Sequence, residues 1–131
     1  MYPEPLRRAW IDMAEWSKVS DILDEIRGLE SVLDVSLISR GGMYVMGDPP
    51  SGVHQETYAA MAAIIMGAAE TTSSELKDTM YNIIMCLAER NLVLANVGSR
   101  YMIAIAVLPD SDVGTVMNKA NENISALQKS L

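Results

Sequence analysis

His54 and Cys86 are the only histidine and the only cysteine of this chain, and so its only pairing of an imidazole base with a thiol. Such a pair can drive nucleophilic attack or thiol exchange when the base meets the thiolate. Cys86, however, falls inside Met80 to Ala88, an apolar run that reads as a strand. A cysteine there is expected to be buried and inert, a small hydrophobe rather than a nucleophile. Asp21, Asp24 and Glu25 share one helical stretch and resemble paired acids. Charges grouped in this way usually form a solvated helix face. Asp110-Ser111-Asp112 could hold a cation, but Asp110 or Ser111 also serves to cap the helix that follows, which explains the same residues more simply.

Other chemistry is missing. No CxxC is present, and one His with one Cys does not assemble the usual zinc ligand set. No phosphate-binding G-x-x-x-x-G-K-[ST] loop and no G-x-G-x-x-G after a strand occur. The expectation is no catalytic residue, no metal and no cofactor: not an enzyme.

The composition narrows the class further. At 131 residues the chain is one domain's worth, long enough to bury a real core. A net charge of -7 argues against a nucleic-acid partner, which calls for a basic patch, and against anionic membranes. No run reaches membrane-spanning length, and Pro3 and Pro5 interrupt any leader-like start. A single cysteine fits a reducing compartment, so a cytoplasmic location is expected. Ten methionines with no phenylalanine suit either an adaptable interaction surface or a Met-rich core.

The elements that would position these residues follow from periodicity. Leu6 to Trp16 is weakly helical after a frayed start. Ser17 to Arg27 is clearly so, with Val19, Ile22, Leu23 and Ile26 on one face; the two stretches can also form one helix. Gly28 suits the residue after the helix, where φ is often positive, with Leu29 folding back onto it. Val32 to Ser39 alternates as a strand, Arg40-Gly41-Gly42 turns, and Met43 to Met46 returns. Asp48 to Gly52 is a loop, and a helix then runs from about His54 to Thr71, broken by Thr72, Ser73 and Ser74. Three strands follow: Met80 to Ala88, apolar enough to be covered on both faces, Leu92 to Val97, and Tyr101 to Leu108. A last helix carries Val113, Met117, Ala120, Ile124, Leu127 and Leu131 as one stripe. The fold class is α/β: a five-stranded antiparallel sheet sandwiched by helices, in the order α-β-β-α-β-β-β-α.

The helix Tyr58 to Ala69, YAAMAAIIMGAA, has no charge in twelve positions. A surface helix keeps a polar face, and this one has none. Tyr58, Ala62, Ile65 and Ala69 fall on one side, and Ala60, Ala63, Ile64 and Gly67 on the other. One side is expected on the domain's own sheet and the other on a second chain. Ala59, Ala63 and Gly67 recur every four positions, a spacing that lets another backbone approach closely.

In this layout the chain resembles the roadblock/dynein light-chain domain family. Ile26-Arg27-Gly28-Leu29-Glu30-Ser31-Val32 is similar to that family's helix ending before the first strand, and Ser39 to Val45 to its first hairpin. The alanine-rich helix matches its central helix. Leu92 to Gly98 resembles its fourth strand, and Asp112-Val113-Gly114 the start of its last helix. The similarity spans about Ser17 to Leu131, giving a domain at 17–131 and an N-terminal, partly helical extension at 1–16. Two departures stand out: Gly41-Gly42 replaces the family's frequent Asp-Gly, and the extension, with Trp10 and Trp16, has no counterpart in the minimal domain. The resemblance implies homodimers joined through the central helix and third strand into one ten-stranded sheet. It also implies an adaptor or regulator of small Ras-like GTPases. No catalytic residue transfers; such a platform acts by holding the GTPase's switch loops in one arrangement.

The expected core-plus-interface set is Tyr58, Met61, Ala62, Ala63, Ile65, Met66, Gly67, Met80, Asn82, Ile84 and Cys86. Ala63→Glu is expected to disrupt the dimer by burying a charge without a partner. The alternative is a ligand-sensing α/β domain of longin or profilin-like type, in which Tyr44, Asn82, Asn96 and Tyr101 would converge on an apolar pocket. Longin domains open with strands, whereas a helix comes first here.

Overall fold

A computed structural model describes residues 4–131, with the side chains of all but 4, 6–12 and 14. The expectations for the first three residues and for the Trp10 side chain lie outside the described residues. The first helix, α1 (Glu4–Arg27), is continuous through both stretches read from the sequence. Val19, Leu23 and Ile26 are buried along it, and Trp16 and Ile22 pack on the same core. Arg27 ends the helix in ion pairs with Asp24 and Asp48. Gly28 still donates its N–H to the Asp24 carbonyl and does not take the expected positive φ. Ser31 takes it instead, at φ 75°. Leu29 folds back as anticipated, donating to the Ile26 carbonyl and packing on the core.

Strand β1 (Val32–Ser39) pairs with β2 (Tyr44–Gly47), one residue later than expected at both ends of the latter. Of the two turn glycines only Gly42 is left-handed, at φ 91°; a methyl there would lie 3.4 Å from the Ala60 α-carbon. Gly47 is more constrained: at φ 121°, an added Cβ would meet the Val35 carbonyl oxygen at 2.4 Å. Both positions therefore require glycine.

Helix α2 (Gln55–Leu76) outruns the expected break. Thr71 and Thr72 turn their hydroxyls back onto the carbonyls of Gly67 and Ala68, so they continue the helix they were expected to end. It stops at Lys77, which is left-handed and donates its N–H to the Ser73 and Ser74 carbonyls. The third strand, β3 (Ile83–Cys86), is less than half the expected length and alternates half-buried with exposed residues, so it is not covered on both faces as expected. It is an edge strand. β4 (Asn91–Val97), β5 (Tyr101–Val107) and α3 (Val113–Ser130) complete the chain. The α3 cap is Asp112, not Asp110 or Ser111: its carboxylate accepts from the Gly114 N–H and the Thr115 hydroxyl. Ser111 closes the preceding turn onto the Leu108 carbonyl.

The sheet order is β2-β1-β5-β4-β3, antiparallel throughout. α1 and α3 pack together on one face, where the larger core forms around Val35, Leu37, Val93, Ile103, Ile105 and Leu127. α2 lies on the opposite face over β1 and β2, above Ile38, Leu94, Met102 and Ala104. The α-β-β-α-β-β-β-α sandwich is the fold that the periodicities predict. Among the described residues no helix is long and apolar enough to cross a membrane.

Candidate self-association and partner surface

The apolar helix α2 is used unequally around its circumference. Ala59, Ala62 and Met66 are buried on the sheet. Ala60 and Ala63 form a flank against the turn of the first hairpin, where Gly42 comes within van der Waals reach. Within the protomer, the chain's own hairpin approaches the helix at Ala60 and Ala63. Gly67 meets nothing: a Cβ built there finds no neighbour within 4 Å. The hairpin flank is fixed by Arg40, whose guanidinium donates to the Glu70 carboxylate on α2 and to the Asn96 side-chain oxygen on β4.

The remaining flank faces the β4–β3 side and is uncovered. Tyr58 and Ile65 are half-buried there, Met61 is 50% exposed, and Ile64 above them is 62% exposed. Beyond this flank the sheet ends in β3. Met80 and Ile83 are half-buried against the α2-side core. Ile84 pairs with Val93 and is 46% exposed, on the α3 side. Asn82 leads into the strand half-buried, and Cys86 ends it exposed. The expected set therefore divides. Ala62 and Met66 are core, Ala63 lies near the hairpin turn, Met61 and Ile65 lie on the open flank of α2, and Ile84 is exposed at the strand edge on the other face.

A polar cluster lies under the N-terminal half of α2. Asp34 and Ser36 on β1 alternate with Val35 and Leu37 and are buried on the α2 side. The Tyr44 and Ser36 hydroxyls share a hydrogen bond of 2.9 Å. Asp34 is 8% exposed; one oxygen stands 3.9 Å from Arg90 in the β3–β4 turn, and the other has no partner. Burial raises the Asp34 pKa, and Arg90 lowers it by a smaller amount. Burial also pushes up the Tyr58 phenol, whose buried hydroxyl has no partner, and the nearby Asp34 charge adds to the shift. Tyr44 is raised mainly by burial, against its hydrogen bond to Ser36. Sequence reading missed Arg40, Glu70, Asp34 and Arg90. The available signal was Asp34 and Ser36 themselves, polar residues in a strand that a five-stranded sandwich places near its middle.

The chemical candidates do not assemble. His54 precedes α2 without a side-chain capping bond. Cys86 is exposed rather than buried, and its register puts it on the face opposite α2, so the two form no dyad. Asp21 is solvated, Asp24 pairs with Arg27, and Glu25 accepts from Asn123. Among the described residues no three His, Cys, Asp or Glu side chains group as metal ligands. The four polar residues of the ligand-sensing alternative do not converge on one pocket: Asn82 and Asn96 line a common cavity, but Tyr44 is bonded to Ser36 on the α2 side, and Tyr101 stacks edge-on against Trp16 on the other, with centroids 6.4 Å apart.

Comparison with known proteins agrees on the fold. MglB of Myxococcus xanthus superposes with a TM-score of 0.80 at 18% identity, covering 98% of this chain and 91% of that one. The gliding protein MglB of Thermus thermophilus gives 0.78 at 16% identity, covering 89% and 90%. A structure of MglB in a tetrameric arrangement gives 0.75 at 16%, covering 99% and 92%. At these identities the likeness is one of fold. No curated protein matches the sequence significantly. The Roadblock/LC7 domain model matches residues 18–107, most of the chain and every strand of the sheet, and the chain belongs to that family.

Proposed function

We propose that this protein is a homodimeric adaptor that binds a small Ras-like GTPase and modulates its nucleotide cycle or location, with no catalytic residues of its own. The observation that carries the reading is the pair of large hydrophobes left exposed on α2, Met61 and Ile64, in a domain whose sheet ends in the free edge of β3. A bare strand edge next to exposed large hydrophobes is a surface that soluble proteins cover. A second copy related by a two-fold axis would pair β3 with β3 and pack one α2 flank on the other, giving a ten-stranded sheet. The interface set is then Tyr58, Met61, Ile64, Ile65, Gly67, Met80, Asn82, Ile84 and Cys86, with Ala62, Ala63 and Met66 supporting it from within the protomer.

The GTPase partner is supported by the family and by its likeness to MglB proteins, one of them in a tetrameric arrangement. On this reading residues 17–131 are the domain and 1–16 an extension. The family match beginning at residue 18 supports that division. The expected location is the cytoplasm, where Ras-like GTPases act.

Light scattering over a dilution series is the first test. A mass near twice 14.3 kDa that persists to low micromolar concentration is expected, and a clean monomer sinks the homodimer. The Ras-like GTPases of the same organism, loaded with GDP or a non-hydrolysable GTP analogue, are then titrated in. Binding that differs between the two nucleotide states is expected, since only differential affinity shifts a switch. Equal or absent binding removes the regulatory part of the reading.

A further inference from the structure

Among the described residues Asp34 is the one charged side chain that is buried, and it lies on the sheet face that α2 covers. Hydroxyls surround it: Ser36 on β1, Tyr44 on β2 and Tyr58 on α2. On β5 its cross-strand partner is Ala106, and that of Ser36 is Ala104. Its one countercharge is Arg90 in the β3–β4 turn, 3.9 Å from one carboxylate oxygen. The neighbouring Glu89, and His54 and Glu56 at the start of α2, are exposed. The other Asp34 oxygen and the Tyr58 hydroxyl have no partner. Such a cluster suits a neutral acid better than a carboxylate. A protonated carboxyl gains a donor that a hydroxyl can accept, whereas the charge is left with one cation at the limit of contact.

The cluster is linked to the free edge of the sheet. Asp34 lies opposite Ala106 on β5, Ala106 opposite Leu92 on β4, and Leu92 opposite Met85 on β3. Directly opposite residues share a face, so this row runs on the α2 side from the carboxylate to the edge, and every residue beyond Asp34 is apolar. α2 packs on β1 and β2, and Leu92, Met85 and Arg90 stay half-buried beyond it. The Arg90 side chain is 36% exposed and that of Asp34 12%, so the pair meets water chiefly through Arg90.

On the homodimer reading above, on which this inference rests, a second α2 seats beside the first and covers that strip. It brings no charge with it: Tyr58 to Ala69 carries none, and neither does Ile83 to Cys86. Association therefore takes water from the Asp34–Arg90 pair and supplies no new countercharge. Burial already outweighs Arg90 in its effect on Asp34 within the protomer, and further covering acts in the same sense.

We propose that self-association is coupled to proton uptake at Asp34, so that the protonated protomer dimerises more tightly and the assembly loosens as the buried carboxylate forms. The dimer then holds the Asp34 proton to higher pH than the free protomer does, and its dissociation constant rises from acid to neutral pH.

Sedimentation of the full chain over that pH range tests this, in about 0.5 M salt, where repulsion between copies of net charge -7 is screened. Wild type should dissociate about tenfold more readily at neutral than at acid pH, the size of a modest proton linkage summed over two protomers. Asp34→Asn should stay tight and lose the dependence. Arg90→Gln should carry the dependence to higher pH, because the countercharge that opposes protonation is gone, and His54→Gln should leave it as in wild type. The carboxyl carbon of Asp34, titrated by NMR in dilute and in concentrated wild-type protein, should show its midpoint move up on association. A dissociation constant that ignores pH, a dependence that survives Asp34→Asn, or a midpoint that does not move each overturns the proposal and leaves the homodimer standing. A monomer at every pH and concentration removes both.

Discussion

On the face of the sheet under α1 and α3, two helices pack side by side over Val35, Val93, Ile103 and Ile105, and the core is apolar. On the other face one helix, α2, covers β1 and β2, with a carboxylate and three hydroxyls beneath it and exposed hydrophobes along its free flank. The first face is covered within the protomer except at its β3 edge, where Ile84 is exposed. The second has the marks of a surface finished by something else: apolar side chains in water, a bare edge strand, and buried polar groups without partners. Small sheets in which both faces belong to one protomer need no such features. On the proposed reading, stability rests mainly on the first face and association on the second, and variants on each should separate the two properties.

The largest effect on stability is expected on the finished face. Leu127 is fully buried between α3 and the sheet. Leu127→Ala should lower unfolding free energy by about 2–5 kcal/mol, from lost transfer energy and the cavity left behind. Denaturant melts read this directly. A change well below that range would mean that the α1/α3 layer is not the stabilising half.

Ile64→Asp, on the unfinished face, should do the reverse. Its side chain is mostly in water, so protomer stability should shift by no more than about 0.5 kcal/mol. A charge in the apolar contact should weaken self-association by about a hundredfold, roughly 3 kcal/mol. Sedimentation of wild type and variant at matched concentrations checks it; an unchanged dimer would move the interface away from the α2 flank. Ala63→Glu makes the useful contrast. Ala63 faces the Gly42 turn, so its damage should appear in thermal stability before it appears in mass.

How much of this contrast was readable in the sequence depended on the range of the forces involved. Element order followed from apolar periodicity, which is local, and the alanine-rich helix announced its lack of a polar face in twelve consecutive letters. Which flank of that helix meets the hairpin is set by the Gly42 contact, a tertiary fact that helical spacing does not carry. Thr72 looked like a helix breaker, yet its hydroxyl found a carbonyl one turn back. β3 looked fully covered because its residues are apolar; its position at the sheet edge reversed that inference, and Cys86 went from buried to exposed with it. Arg40 lies 30 positions from Glu70 and 56 from Asn96, beyond any local pattern.

Arg40→Ala tests whether that bridge holds the hairpin to α2. The guanidinium is only partly buried and Glu70 is more than a third exposed, so the loss should be about 1 kcal/mol. Amide exchange should rise in the first hairpin and the Glu70 turn of α2 and stay unchanged in α3. Uniform loss of protection would mean that Arg40 is coupled to global unfolding instead.

The smallest expected effect bears on the polar cluster under α2. Asp34 has its native pKa raised above the 3.8 of a free aspartate, chiefly by burial. The native state therefore binds the Asp34 proton more readily than the unfolded state does. Its contribution favours folding fully below the unfolded pKa and is lost as pH rises through the native one. At neutral pH the group is a charge with one unpaired oxygen and a distant Arg90, and it opposes folding. Asp34→Asn removes that charge while keeping the shape, so it should raise stability at pH 7 by about 0.5–1 kcal/mol and flatten the fall in stability between acid and neutral pH. Arg90→Ala should act in the opposite direction at pH 7, because it removes the countercharge that lowers the Asp34 pKa and leaves the carboxylate in place. Urea melts of the three proteins across that pH range separate the outcomes. If Asp34→Asn is destabilising at neutral pH, the carboxylate is better satisfied than the unpartnered oxygen indicates. The cluster would then belong with the finished face, and the apolar flank and β3 edge alone would mark the face that a second copy completes.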